Sequence, residues 1–194
     1  GQFKEADEAT ILAMARDYKL EELNEDVVRS VSRYATSSLC PLSAFFGGIV
    51  AQEVVKATGK YTPLRQWLHY DIAECVPEEA NREPMGGRYD DQIRVFGRKV
   101  QEDLNKVKTF MVGAGALGCE LMKAFALMGI GCGAGGLVSC TDNDSIEPSN
   151  LNRQFLFRNH HIGKQKSECA TEVAKGMNSD FNFKAYTTKV GEET

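Results

Sequence analysis

The sequence predicts an α/β chain: a partial doubly wound parallel sheet, preceded by a mainly helical segment. Three observations carry this. The apolar run Val107-Lys108-Thr109-Phe110-Met111-Val112 leads straight into the glycine loop Gly113-Ala114-Gly115-Ala116-Leu117-Gly118. A helix-like stretch then reaches about Gly129, and a second apolar run covers Leu137 to Cys140. That run ends in Thr141-Asp142-Asn143-Asp144. Strand, G-x-G-x-x-G, helix, strand and acid is the order of a nucleotide-binding, Rossmann-like unit.

The elements before that unit read as follows. From about Glu5 to Ser38, Leu12, Leu20, Leu23, Val27, Val28 and Val31 recur at helical intervals among charges. Asn24 is a candidate cap, followed by acids and later by Arg29 and Arg33. Pro41 breaks the pattern, and Leu42 to Thr58 reads as a second, broadly apolar helix stopped by Gly59. Gly47-Gly48 inside it costs about 1 kcal/mol per glycine against alanine. Close packing on another backbone is the expected compensation. Pro63 to Tyr70, with Trp67, is a strand candidate. The acids, Pro77, Pro84 and Gly86-Gly87 between Glu74 and Gly87 read as a linker. A domain boundary near residue 80 follows, separating 1–80 from 81–194.

Tyr89 to Phe96 precedes a helical stretch, Gly97 to Asn105. Beyond the nucleotide-type unit, Ile162 to Met177 reads as helix and Phe181 to Val190 as a third strand. A doubly wound sheet ordinarily has five or six strands. Three leave an edge to be paired, so a fragment, or a sheet completed by other residues, is expected. The missing initiator Met agrees with a processed or excised piece.

Composition narrows the classes. Hydrophobic residues make up 42% and charged residues 26%, as in a globular protein. The net charge of -4, without a basic run, argues against a nucleic-acid partner. No apolar stretch approaches 18 residues, so no membrane helix is expected, and the amino terminus is not a signal peptide. The six cysteines form no C-x-x-C pair, which points to reduced, structural thiols rather than a zinc site. His69, His160 and His161 lack metal-ligand spacing.

The candidate site is read from the nucleotide-type unit. Gly113 allows a tight turn off the strand, Gly115 a close approach of phosphate, and Gly118 tight helix–strand packing. The following helix directs its first N–H groups at the ligand. Asp142, at the end of the second strand, stands where a carboxylate receives ribose hydroxyls. Asp144 is placed to face phosphates or an associated Mg²⁺. Asn150 and Arg153 are three apart, so one turn puts them on one side. Arg153 can clamp phosphate bidentately, and Lys164 or Lys166 can reach it as a point charge. Such a cationic cluster suits a triphosphate better than hydride transfer from a nicotinamide cofactor. Phe155-Leu156-Phe157 reads as core or interface.

These residues resemble the active adenylation domain of the eukaryotic ubiquitin-activating enzymes. The resemblance rests on Val112 to Gly118, Thr141-Asp-Asn-Asp-Ser-Ile-Glu147, Ser149-Asn-Leu-Asn-Arg-Gln-Phe-Leu-Phe157 and Gly163-Lys-Gln-Lys-Ser167. Pro41 to Asp71 resembles the end of that family's inactive adenylation domain, and Arg88 to Gly97 the entry into the active half. The resemblance implies a ThiF-type adenylation fold in which Gly113, Gly115 and Gly118 line an ATP site. It implies that Asp142 holds the ribose and that Lys166 contacts ribose or phosphates. Asn150 and Arg153 would be the catalytic pair on the phosphates, and Asp144 would lie near Mg²⁺. The implied activity is ATP-dependent adenylation of the carboxyl-terminal glycine of ubiquitin. Thioester formation follows on a cysteine outside this chain, and the ubiquitin passes to conjugating enzymes. A cytoplasmic and nuclear location goes with it. The later strands, their Mg²⁺ aspartate and an arginine from the family's amino-terminal half are absent here, so these residues alone are expected not to turn over. The alternatives are an activating enzyme for another ubiquitin-like modifier, or a non-catalytic scaffold that retains the nucleotide fold.

Overall fold

A computed structural model describes residues 5–191. The chain divides into two compact units, 1–98 and 99–194. This division falls later than the boundary near residue 80 that the sequence suggested. The physical reason is that the apparent linker is tied down within the first unit. Arg82 donates to the carbonyls of Pro77 and Val95, and Arg98 donates to those of Glu83 and Pro84. Asp90 accepts from the N–H groups of Met85, Gly86 and Gly87.

The first unit is helical. Where one long helical stretch was expected, α1 (Glu5–Asp17) and α2 (Glu25–Tyr34) are separate. The break holds Lys19 at φ 49°, and Asn24 starts α2 by accepting from the Val27 N–H at 3.1 Å. Glu8 ties the two helices by binding Arg29 at 3.0 Å and Arg33 at 3.1 Å. Helix α3 (Cys40–Lys56) begins earlier than expected, because Pro41 sits in its first turn, where no N–H is needed. No backbone closes on Gly47 or Gly48 among the described residues, so the expected close packing is not there. Residues 63–70 form no strand: Trp67 is 89% exposed, and no neighbouring strand pairs with the segment. Helix α4 (Asp90–Phe96) buries Ile93 and Val95.

The second unit carries the sheet. Helix α5 (Arg98–Lys106) leads into β1 (Lys108–Val112), then α6 (Ala116–Met128), β2 (Leu137–Thr141), α7 (Lys166–Met177) and β3 (Phe183–Tyr186). The three strands pair in parallel, in the order β1-β2-β3, with Val112 opposite Thr141 and Thr141 opposite Tyr186. Helix α7 starts later and β3 is shorter than expected. Residues 162–165 instead run as a loop whose Gln165 bridges antiparallel to Ser145.

The core explains the order. Val138 and Cys140 of β2 pack with Cys119, Met122 and Ala126 of α6 and Ala170 and Ala174 of α7. Leu156 and Phe157 join the same core, as their apolar run suggested. Side chains alternate along a strand, so Phe110 and Val112 lie on the opposite face, where both are exposed. A Cβ on Gly118 would collide with the Gly113 carbonyl, which gives this glycine its packing role. Among the described residues, no helix is long and apolar enough to cross a membrane.

Candidate functional site

The predicted residues gather beyond the carboxyl ends of β1 and β2. The glycine loop leaves β1 with Gly113 at φ +98°, a conformation that L side chains rarely adopt. Its N–H still donates to the Thr141 carbonyl at 2.8 Å, so the loop departs from a fixed point. A Cβ on Gly115 would meet nothing within 4 Å, leaving open space over the backbone. Gly115 also caps α6 without a side-chain acceptor, so no side chain blocks the first-turn N–H groups.

Asp142 latches this loop. One carboxylate oxygen accepts from the Ala114 N–H at 2.6 Å, and the other from the Asp144 N–H at 2.9 Å. Charge-assisted bonds of this kind are worth about 1.5–3 kcal/mol each. The Asp142 backbone is held in turn: its N–H donates to Tyr186, and the buried Ser167 hydroxyl donates to Tyr186 at 2.7 Å and to Asp142 at 3.4 Å. The G-K-Q-K-S run that ends in Ser167 was legible as a motif, but the hydroxyl's role in joining two strand ends was not.

Asp144 and Lys166 form an ion pair at 2.7 Å. The Lys166 side chain is only 10% exposed, whereas that of Asp144 is 63% exposed. Lys164 is on the same segment, and its backbone N–H donates to the His161 carbonyl at 3.0 Å.

Asn150 and Arg153 follow in a short 3-10 turn, Pro148–Asn150, and the turn after it. The structure uses Asn150 structurally: buried, it accepts from the Glu147 N–H at 3.0 Å. Arg153 is exposed and donates to the Ser149 carbonyl at 2.9 Å and the Asn152 side chain at 3.1 Å. No carboxylate is paired with it in an ion pair among the described residues. His161 is buried, with Nδ1 accepting from the Arg158 N–H at 3.1 Å. Burial first, then the neighbouring charges, hold its pKa below the ordinary value. Burial also pushes the thiols of Cys119 and Cys169 up to about 11 and that of Cys140 to about 12, which makes them poor nucleophiles.

No cluster of three or more His, Cys, Asp or Glu side chains suited to a metal occurs among the described residues. The exposed Asp144 still suits Mg²⁺, which is commonly held by one or two carboxylates together with substrate phosphates.

A parallel β-α-β-α-β unit with a carboxylate latching the glycine loop and cations behind it defines a nucleotide-site class. The ThiF family matches residues 89–194, and the chain belongs to that family. It is 49% identical over 183 residues to the ubiquitin-like modifier-activating enzyme 1 of Mus musculus, covering 91% of this chain and 17% of that protein. It is 46% identical over 183 residues to the ubiquitin-activating enzyme E1 2 of Arabidopsis thaliana, covering 92% of this chain and 17% of that protein. Among solved structures, E. coli MccB with ATP matches with a TM-score of 0.50 at 28% identity, over 60% of this chain and 35% of that one. The chain thus spans about a sixth of the curated relatives' length.

Proposed function

We propose that this chain is the nucleotide-binding segment of a ubiquitin-activating enzyme. In this reading residues 1–80 end an inactive adenylation domain and 81–194 open the active one, with 81–98 packed as part of the first compact unit. The enzyme would use ATP to adenylate the carboxyl-terminal glycine of ubiquitin, with thioester formation on a cysteine elsewhere and transfer to conjugating enzymes. The observation that carries the reading is Asp142, fixed at the end of β2 with one oxygen on the glycine loop. It stands beside open backbone at Gly113 and Gly115 and ahead of Arg153 and Lys166. The identity to named ubiquitin-activating enzymes supports the choice of ubiquitin.

Each residue has a physical task in this proposal. Gly113 and Gly115 let phosphate reach backbone N–H groups, and Gly118 seats α6 against the loop. Asp142 presents its carboxylate to the ribose while holding the loop. Arg153, with Asn150 bracing its turn, and Lys166 neutralise charge that builds as the glycine carboxylate attacks the α-phosphate. Asp144 would hold Mg²⁺, which adds further neutralisation when bound.

The test is equilibrium ATP binding by the full-length protein with Asp142→Ala and Arg153→Ala variants. Both should weaken binding at least tenfold, or about 1.4 kcal/mol. Unchanged affinity in both would remove the site from this location.

A further inference from the structure

We propose that Asp144 competes with nucleotide phosphate for Lys166, so that before nucleotide binds the site holds its phosphate-binding cation on an internal counter-ion. This rests on the nucleotide reading above and concerns how the same site is kept ready.

The pair is built rather than incidental. Asp144 and Lys166 lie far apart in sequence and are joined by a small antiparallel bridge, Ser145 with Gln165. Around it, the Lys166 N–H donates to the Asp144 carbonyl at 3.0 Å, and the Ile146 N–H to the Lys164 carbonyl at 2.8 Å. The Gly163 N–H donates to Ile146 at 2.8 Å, and Asp142 fixes the Asp144 N–H. Both backbones are therefore pinned, and the ion pair spans two held points.

The two side chains differ in what they can give up. Lys166, 90% buried, cannot stand as an unpaired ammonium without a large penalty, so it needs an anion at all times. Asp144 is mostly solvated and can lose its partner at small cost. A polyphosphate with several negative charges offers Lys166 a stronger acceptor at that end of the sheet. The lysine then changes partner, and the Asp144 carboxylate is left beside the phosphates. Incoming phosphate must displace Asp144 before it gains Lys166, which weakens binding of nucleotide that brings no cation of its own.

A double-mutant cycle on the full-length protein tests this, with ATP binding measured by calorimetry in EDTA. Wild type, Asp144→Asn, Lys166→Met and the double variant are compared, with Lys166→Gln replacing Met should that variant not fold. The expected result is that Asp144→Asn tightens metal-free ATP about tenfold when Lys166 is present, and by less than about threefold when it is not. An equal gain in both backgrounds would mean plain repulsion by Asp144 and would overturn the proposal alone. A loss of affinity in Asp144→Asn would overturn it too. No ATP binding by wild type, with or without Mg²⁺, would overturn the function itself and this inference with it.

Discussion

Asp142 holds two backbone N–H groups with one carboxylate. Its oxygens accept from Ala114 and Asp144, so replacing it removes the latch on the loop and, in the proposed function, the ribose contact with it. Asp142→Asn keeps the size but leaves an amide N–H₂ facing one backbone donor. It should lower stability by about 1–3 kcal/mol, read as a shift in urea midpoint with unchanged slope. Histidine 161 gives a pH signature. Its folded pKa is lowered, chiefly by burial, so the unfolded chain binds a proton that the folded chain refuses. Stability is therefore complete above about pH 6.5 and is lost as pH falls through the lowered value. A urea midpoint that falls between about pH 7.5 and pH 5.5 in wild type, and falls less in His161→Gln, is the expected outcome. Some of this residue-level detail was legible in the sequence. Asp142 could be placed because it ends an apolar run one strand after a glycine loop. The Asp144–Lys166 pair could not, because a bridge between distant residues creates it. The spacing of Asn150 and Arg153 gave the turn but not the direction of the Asn150 side chain, which turns back to Glu147.

At the scale of elements, periodicity succeeded where one face is buried and failed where nothing is packed alongside. Strands β1 and β2 and helix α6 were readable because glycines punctuate them and their apolar residues meet in one core. The supposed strand at 63–70 rested on aromatic enrichment, yet a strand needs a neighbour, and Trp67 has none in a sheet. It is the sole tryptophan, so its emission should lie near that of solvated indole and be quenched readily by iodide in the 194-residue chain. Blue-shifted, protected emission would contradict that placement. The junction of loop and α6 makes a sharper prediction. Gly118→Ala puts a methyl against the Gly113 carbonyl, and should cost about 1–3 kcal/mol in thermal or urea unfolding. Gly115→Ala has open space and should cost far less stability, while in the proposed function it would obstruct the nucleotide's approach.

For the whole molecule, the described residues form a helical unit followed by a unit built on a three-stranded parallel sheet. The division at Arg98 escaped the sequence because proline and glycine mark turns equally well inside a folded unit and between units. Here side-chain bonds from Arg82, Asp90 and Arg98 fold the apparent linker into the first unit. Phe110 and Val112 are exposed on the face of β1 opposite the core, and the chain spans about a sixth of its curated relatives' length. The proposed function is activation of ubiquitin, through an adenylate, at this sheet end. ATP–pyrophosphate exchange by the full-length protein tests it most directly, with ubiquitin and other ubiquitin-like modifiers offered separately. Exchange that requires ubiquitin and collapses in Asp142→Ala and Arg153→Ala is the expected result. Folded, ATP-bound protein that exchanges with no modifier would contradict it.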